Sequence, residues 1–220
     1  MERFVAKTIP FSTEFTLHKL FKQRKFTNCL NIGSPTTLFN RVLKTYTNQI
    51  TTIDIDPEEK NVKKMNALNL KLNQQYDLIF SNQVIEHIDQ KNHLKYFDQC
   101  IKNCTFGGCI VTLTPNQYAP TRYLELTHGK KIDPDHKKEF DIQYAKKLAK
   151  QIQKKHCVAI KIFGYSSQLS SKGHPRINKL WNLVPFQIGY LITDFIFTRP
   201  RLARGLVIVI QNEGRRYWTN

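Results

Sequence analysis

The sequence predicts an α/β fold with an open, mostly parallel sheet, and three stretches of the chain lead to that prediction. CLNIGSPT at residues 29–36 and YDLIFSNQVIEHI at residues 76–88 each join a short apolar run to a polar turn. QITTIDI at residues 49–55 is another apolar run, and it ends in acidic residues. Such runs are typical of strands buried on both faces of a parallel sheet, whose carboxyl ends hold the ligands.

Length, cysteine usage and hydropathy limit the class of protein. A chain of 220 residues suits one domain with a full hydrophobic core. We expect a helical N-terminal extension over residues 1–27 and one main domain over residues 28–220, with residues 117–140 and 165–200 as cap or insert segments. The five cysteines match no zinc spacing, which favours buried thiols in a reducing compartment. Because the sequence shows neither a secretory apolar core nor a run that could span a bilayer, we expect an intracellular, cytoplasmic protein.

Positive charge is the most unusual property of the composition. Lysine and arginine outnumber aspartate and glutamate by 34 to 17, and residues 137–220 hold 16 of the basic residues against 4 acidic ones. A helix predicted over residues 142–156 has an apolar stripe that is backed by Lys146, Lys147, Lys150, Lys154 and Lys155. The excess predicts an anionic partner, whether RNA, anionic lipid headgroups or an acidic small molecule. A solvated lysine face is the alternative.

The first two predicted strands place polar groups at their carboxyl ends. The first, at residues 29–32, runs into Gly33 and Ser34, and a helix begins after that turn. The second ends in Asp54, which follows Gly33 by 21 residues. In dinucleotide-binding folds an acid about 20 residues beyond the glycine turn binds the ribose. A carboxylate suits this task because it accepts both hydroxyl hydrogens. Residues 66–68 follow as a short third strand or a loop.

Residues 76–88 form the centre of the predicted sheet. Their apolar run predicts a buried strand, which a polar loop and then a helix follow. The polar side chains of this stretch fall beyond the carboxyl end of the strand, where an open sheet binds its ligands: Ser81, Asn82, Gln83, Glu86 and His87. On a helix, Gln83, Glu86 and His87 share one face. Beyond it, the sequence predicts a helix over residues 91–104 and strands over residues 109–116, 158–163 and 205–211.

Taken in order, the motifs resemble those of the class I S-adenosylmethionine-dependent methyltransferases over about residues 28–165. They are CLNIGSPT, TTIDIDP, MNAL, YDLIFSNQVIEHI and GGCIVTLTPN, and DHKKEF resembles the start of a substrate-capping helix. The resemblance implies a Rossmann-like three-layer α/β/α sandwich with a mostly parallel seven-stranded sheet and an antiparallel last strand. Residues 28–220 would then form the methyltransferase-like domain.

The resemblance also implies a set of cofactor contacts. These are Asn31, Gly33 and Ser34 at the methionine end of S-adenosylmethionine, Asp54 at the ribose, Asn66 and Ala67 at the adenine, Ser81 and Asn82 beneath the sulfonium, and Ile55 as a further contact. The chain departs from the family pattern where Asn31 replaces an acid and Pro35 replaces a glycine, which removes a backbone donor from the turn. A non-catalytic methyltransferase-like module that binds RNA or a ribonucleoprotein is therefore the alternative function.

The expected reaction moves the activated methyl group to an oxygen or nitrogen of an acceptor that the sequence does not identify. His87 or His136 is the candidate base or acceptor-orienting group. Small-RNA 3′-end 2′-O-methyltransferases and ubiquinone-pathway O-methyltransferases, which this chain resembles here, carry Glu-x-x-Glu-His at the fourth motif and use it for a divalent metal. The former add a later histidine. Glu86, His87 and His136 match that pattern but Gln83 replaces the first glutamate, so the sequence commits no residue to a metal.

Overall fold

The computed structural model describes residues 10–33, 36–119, 134–165 and 194–213, apart from the side chains of residues 10–12 and 36–38. The longer helices that lie wholly within these residues are α1 (Pro10–Phe21), α2 (Thr36–Leu43), α3 (His93–Lys102) and α4 (Ile142–Lys155). The strands are β1 (Asn28–Ile32), β2 (Gln49–Asp54), β3 (Lys63–Lys64), β4 (Tyr76–Asn82), β5 (Cys104–Pro115), β6 (Val158–Tyr165) and β7 (Gly205–Asn212). Ser34 and most of the two predicted cap segments lie outside the described residues.

The strands form one sheet in the order β3-β2-β1-β4-β5-β7-β6. Neighbouring strands from β3 to β5 are parallel, whereas β7 runs antiparallel to both β5 and β6. The predicted mostly parallel, seven-stranded Rossmann-like sheet with an antiparallel last strand is thereby confirmed. The strand order reverses between β1 and β4, which is the point at which open α/β sheets bind their ligands.

Two hydrophobic clusters hold the helices against opposite faces of the sheet. One joins the sheet to α3 and α4, with Tyr96, Phe97, Leu148 and Ile152 fully or almost fully buried. The other joins it to α1 and α2, where Leu17 and Leu43 are completely buried. The amphipathic pattern of α4 produces this arrangement, and Asp141 begins that helix by accepting a hydrogen bond from the Tyr144 amide, 2.8 Å away. The three-layer sandwich places every parallel strand's carboxyl end on one rim.

The predicted boundary between a helix over residues 91–104 and a strand over residues 109–116 was wrong. The helix predicted over residues 91–104 ends at Lys102, and Cys104 begins β5. The sheet register shifts here, since Tyr76 pairs with Cys104 but Leu78 pairs with Cys109. Gly107 makes this irregularity with a positive φ of 73°. Within the described part of the chain, no helix is long and apolar enough to cross a membrane.

Candidate functional site

A pocket of about 430 Å³ opens where β1, β2 and β4 end. It has the size of a small-ligand site and lies at the point where the strand order reverses. Its walls are formed by Ile32, Gly33, Asp54, Ile55, Met65, Asn66, Ala67, Leu68, Gln83, Val84, His87, Ile88, Asp89 and Asn92. Five of the predicted cofactor contacts and one predicted catalytic residue therefore line one cavity.

The turn after β1 requires glycine. Gly33 has a φ of +65°, and a Cβ atom built there would lie 2.4 Å from Cγ2 of Val84. Its backbone N–H donates to the Ile53 carbonyl over 2.8 Å, which ties the turn to β2. The missing side chain lets the fourth-motif segment approach the turn closely. The close approach of Val84 to the turn depends on Gly33, so the replacement of the family's second glycine by Pro35 does not affect it.

Asn31 lies behind the pocket wall rather than in it. It is completely buried, and its side-chain amide donates to Oδ1 of Asn40 over 3.0 Å. The amide of Asn40 in turn donates to Oγ1 of Thr52 over 3.2 Å. Oδ1 of Asn31 accepts no hydrogen bond from any described residue. The contact expected between Asn31 and the methionine end of the cofactor stays a prediction, since Asn31 does not line the pocket.

The end of β2 and the loop after β3 form the opposite wall. Asp54 is half-buried, and its Oδ1 accepts the Asp56 amide over 2.9 Å. Ile55 lines the pocket and is 64% exposed, so a ligand bound there would cover its apolar surface. The Asn66 side chain accepts the Leu68 amide over 2.8 Å and so shapes the loop around Ala67.

Ser81 and Asn82, predicted to lie beneath the sulfonium, are buried and do not line the pocket. The Ser81 hydroxyl is 2.7 Å from the Tyr96 hydroxyl and donates to Oγ1 of Thr112 over 3.2 Å. Burial raises the pKa of Tyr96, so this phenol stays protonated. Oδ1 of Asn82 has no hydrogen-bond partner among the described residues. The Ser81 contacts cross-link β4, β5 and α3 directly below the site.

The fourth motif does not continue as an α-helix, and the prediction that Gln83, Glu86 and His87 share one helical face was wrong. Gln83 has a φ of +58°, and a single 3₁₀ turn spans Ile85–His87. Gln83 and His87 line the pocket, whereas Glu86 is completely buried and accepts a hydrogen bond from Thr114 over 3.1 Å. The Glu86 carbonyl accepts the amides of residues 137 and 138, at 2.8 and 3.1 Å. These hydrogen bonds from residues distant in the sequence fix the position of the 3₁₀ turn.

The same contacts assemble a cluster of potential metal ligands at the rim of the pocket. One ligand atom each from Glu86, His87 and His136 lies within 4.8 Å of the other two. The two imidazole rings meet edge to face, with centroids 4.9 Å apart. Both rings use Nδ1 for a hydrogen bond, His87 with the Asp135 carbonyl at 3.2 Å and His136 with Glu139 at 2.8 Å. Nε2 is therefore the nitrogen that carries a lone pair when the rings are neutral.

A second buried histidine secures the segment beside this cluster. His93 is completely buried, and its ring lies 2.9 Å from the Ile88 carbonyl and 2.8 Å from the Tyr144 hydroxyl. It stacks on Phe140, with ring centroids 5.0 Å apart. Burial lowers the pKa of His93, so the neutral form is favoured. These contacts link the pocket wall at Ile88 to the start of α4.

The sequence analysis missed several residues of the site. Val84, Ile88, Asp89 and Asn92 also line the pocket. Val84 and Ile88 lie within the fourth motif and the other two follow it closely, and this position was the available signal. Glu139 was also missed as a partner of His136. Glu139 follows His136 by three residues, a spacing that predicts a contact only where the local backbone conformation is known.

A family model described as a methyltransferase domain matches residues 3–155. Sequence comparison with curated proteins gives no match. The fold is similar to that of the small RNA methyltransferase HEN1, with a TM-score of 0.64 and 16% identity over 98% of this chain and 27% of that chain. It is also similar to a SAM-dependent methyltransferase from Archaeoglobus fulgidus, with a TM-score of 0.58 and 19% identity over 92% and 94% of the two chains.

The plantazolicin methyltransferase BamL, in complex with a triazolic desmethylPZN analogue and SAH, is a third similar structure. Its TM-score is 0.62 and its identity 16%, over 96% of this chain and 87% of that one. At these identities the likeness concerns the fold. This chain spans about a quarter of the HEN1 chain.

Proposed function

This chain belongs to the methyltransferase-domain family and has the fold of its class I S-adenosylmethionine-dependent members, and we propose that it methylates a hydroxyl group of an anionic acceptor. One observation carries the proposal. His87 is shared by the cofactor-sized pocket and by the Glu86, His87 and His136 cluster. A methyl donor in the pocket and an acceptor at the cluster would thus meet at one side chain.

The residues of the pocket fit S-adenosylmethionine. Asp54 would accept the ribose hydroxyls, and the exposed face of Ile55 would cover the adenine edge of the nucleoside. Asn31 is completely buried and does not line the pocket, so it is given no ligand contact in this proposal.

The chemical step needs alignment more than activation, because the sulfonium already makes the methyl carbon electrophilic. The acceptor oxygen would attack that carbon in line with the carbon–sulfur bond, which breaks to leave a neutral thioether. The hydroxyl proton must go to a base. His87 and His136 are the candidates, since each presents Nε2 with a lone pair when neutral.

The donor set also fits a divalent metal. Glu86, His87 and His136 would hold it, and a metal bound there would lower the pKa of the acceptor hydroxyl. Gln83 offers a carbonyl oxygen where the metal-using relatives have a carboxylate, so the net negative charge of the site is smaller by one. The expected preference is for a metal that accepts imidazole nitrogen, such as Mn²⁺, over Mg²⁺.

The acceptor proposal draws on the charge of α4. Its five lysines are exposed and Ile142–Lys155 contains no acidic residue. Lys155 pairs with Asp98 of α3, but the other four form no ion pair with a described residue. Lys146, Lys147, Lys150 and Lys154 lie within an arc of about 100° on the helical wheel, opposite the buried stripe. Since this face exposes no large apolar side chain within α4 that could enter a bilayer, RNA is favoured over a lipid surface.

RNA binding can be tested by its salt dependence. Four phosphate contacts on a single strand predict a loss of about 50-fold in affinity between 50 and 200 mM salt. The Lys146→Glu/Lys150→Glu variant should abolish binding, whereas Lys161→Glu, an exposed lysine on β6, should change it little. Equal losses in both variants, or no binding at low salt, would remove α4 from the acceptor site. No observation among the described residues favours the non-catalytic alternative.

The methyl-transfer proposal itself is tested with radiolabelled S-adenosylmethionine. The assay would offer short RNAs with a free or a blocked 3′-terminal hydroxyl, together with a panel of small hydroxylated acids. We expect label in one hydroxyl-bearing class and its loss in His87→Ala and His136→Ala. Excess chelator separates the metal-assisted route from the metal-free one. Loss of activity would indicate a metal, whereas full activity would indicate that a histidine alone accepts the proton. Absence of transfer to every class, with cofactor bound, would contradict the proposal.

A further inference from the structure

The segment that follows the predicted catalytic His136 contains a buried acid in direct contact with it. Oε1 of Glu139 lies 2.8 Å from Nδ1 of His136, and the two side chains are 6% and 9% exposed. Because a carboxylate only accepts hydrogen bonds, Nδ1 of the neutral ring must carry the hydrogen. The lone pair of the ring is thereby assigned to Nε2.

The backbone around this pair is fixed at both ends. Before Glu139, two amides of the segment donate to the Glu86 carbonyl. After it, Phe140 is completely buried, and its carbonyl accepts the Gln117 amide over 2.7 Å. Phe140 also stacks on His93. The backbone on both sides of Glu139 is therefore fixed by hydrogen bonds and packing, as is required of a residue that orients a neighbouring side chain.

The two imidazoles of the cluster differ in what holds them. His87 is exposed, and its Nδ1 meets a neutral backbone carbonyl at 3.2 Å. His136 is nearly buried, and its Nδ1 meets a carboxylate at a shorter distance. Hydrogen bonds to an ionised acceptor are shorter and about twice as strong as those to a neutral one. The orientation of His136 is consequently the more tightly determined of the two.

We infer that Glu139 is a positioning residue that locks His136 in the Nδ1–H tautomer and directs Nε2 to the shared site of Glu86 and His87. The role of His136 in this inference rests on the proposed function, whereas the tautomer of His136 follows from its contact with Glu139 alone. A carboxylate that accepts the other ring N–H of a metal-binding histidine sets the orientation of that ring, and its loss lowers metal affinity about 10- to 100-fold. The same lock would serve His136 if its Nε2 took the acceptor proton.

The direct test is the tautomer of His136, observed in long-range ¹H–¹⁵N spectra of the full chain above the titration range of histidine. We expect the Nδ1–H form in the unmutated protein and a mixture of tautomers in Glu139→Gln, whose amide can donate as well as accept. Glu139→Leu should show a still larger Nε2–H fraction. An Nε2–H ring in the unmutated protein, or an unchanged tautomer in both variants, would overturn the inference.

Asp98→Asn is a matched control, because it alters another acid–histidine pair, Asp98 with His156 at 2.6 Å, away from the site. It should leave the His136 tautomer unchanged. In Mn²⁺ titrations, Glu139→Gln should bind 10- to 100-fold more weakly while Asp98→Asn binds as the unmutated protein does. Equal binding by Glu139→Gln and the unmutated protein would contradict the role toward a metal. If the unmutated protein binds no Mn²⁺, metal assistance fails as a proposed function and the tautomer alone decides the role of Glu139.

Discussion

Replacing Asp54 by alanine should weaken S-adenosylmethionine binding strongly. Asp54 is half-buried in the pocket wall, at the end of β2. A hydrogen bond to a charged acceptor contributes about 1.5–3 kcal/mol, and partial exposure places each of the two expected ribose bonds near the lower limit. Losing both costs about 2–4 kcal/mol, which is a loss of roughly 30-fold to several hundred-fold in affinity.

Calorimetric titration of S-adenosylmethionine and of its demethylated product measures this effect. Asp56→Ala is the matched control, because Asp56 is an exposed neighbour whose pairing with Lys64, at 3.4 Å, contributes little. Asp54→Asn keeps the Oδ1 acceptor that binds the Asp56 amide, and so separates a ribose contact from a change in the loop. Unchanged affinity in Asp54→Ala, or an equal loss in Asp56→Ala, would refute the ribose assignment.

Substitutions at Gly33, His93 and Gln83 test the turn after β1, the buried imidazole and the proposed metal ligands. Gly33→Ala should lower the melting temperature by about 4–8 °C, since left-handed strain and the contact with the fourth-motif segment together cost at least about 2 kcal/mol. Gly107 has a similar φ but open space around it, so Gly107→Ala should lower the melting temperature less. Equal decreases in the two variants would exclude the contact with Val84 as the cause. Because the pKa of His93 is lower in the folded state, the free energy of unfolding should fall as the pH drops below about 6.5. Urea titrations at a series of pH values should show this decrease in the unmutated protein and a smaller one in His93→Gln. Gln83→Glu should raise Mn²⁺ affinity about tenfold by restoring a charged ligand, and unchanged affinity in calorimetry would place Gln83 outside the ligand set.

The fold was predictable because its strands carry strong local signals. The apolar run at Leu78–Phe80 lies within β4, and the predicted helix over residues 142–156 matches α4 closely. By contrast, β3 consists of two exposed lysines at the sheet edge, so no hydrophobic pattern marks it. Residues 66–68, predicted as a short third strand or a loop, form the loop that lines the pocket.

The geometry of the Glu86, His87 and His136 cluster was less predictable, because contacts between distant segments determine it. The pattern from Val84 to His87 favours a helix, yet Thr114 and the backbone after His136 hold Glu86 in a single 3₁₀ turn. The pairing of His136 with Glu139 likewise depends on a backbone conformation that residue spacing does not fix. Asn31, Ser81 and Asn82 occur at the expected motif positions, but only the packed structure shows that they lie behind the pocket wall.

Amide spectra of the ¹⁵N-labelled chain, recorded as S-adenosylhomocysteine is added, test whether the pocket at the ends of β1, β2 and β4 binds the methyl donor. We expect saturable shifts for the amides of Gly33, Asp54 and Ala67, which line the pocket, with little change at Gly107 at the opposite end of the sheet. Binding should be retained when the acceptor is absent. Unchanged spectra at millimolar ligand, or shifts confined to residues away from the ends of β1 and β2, would contradict the assignment of this pocket to the methyl donor.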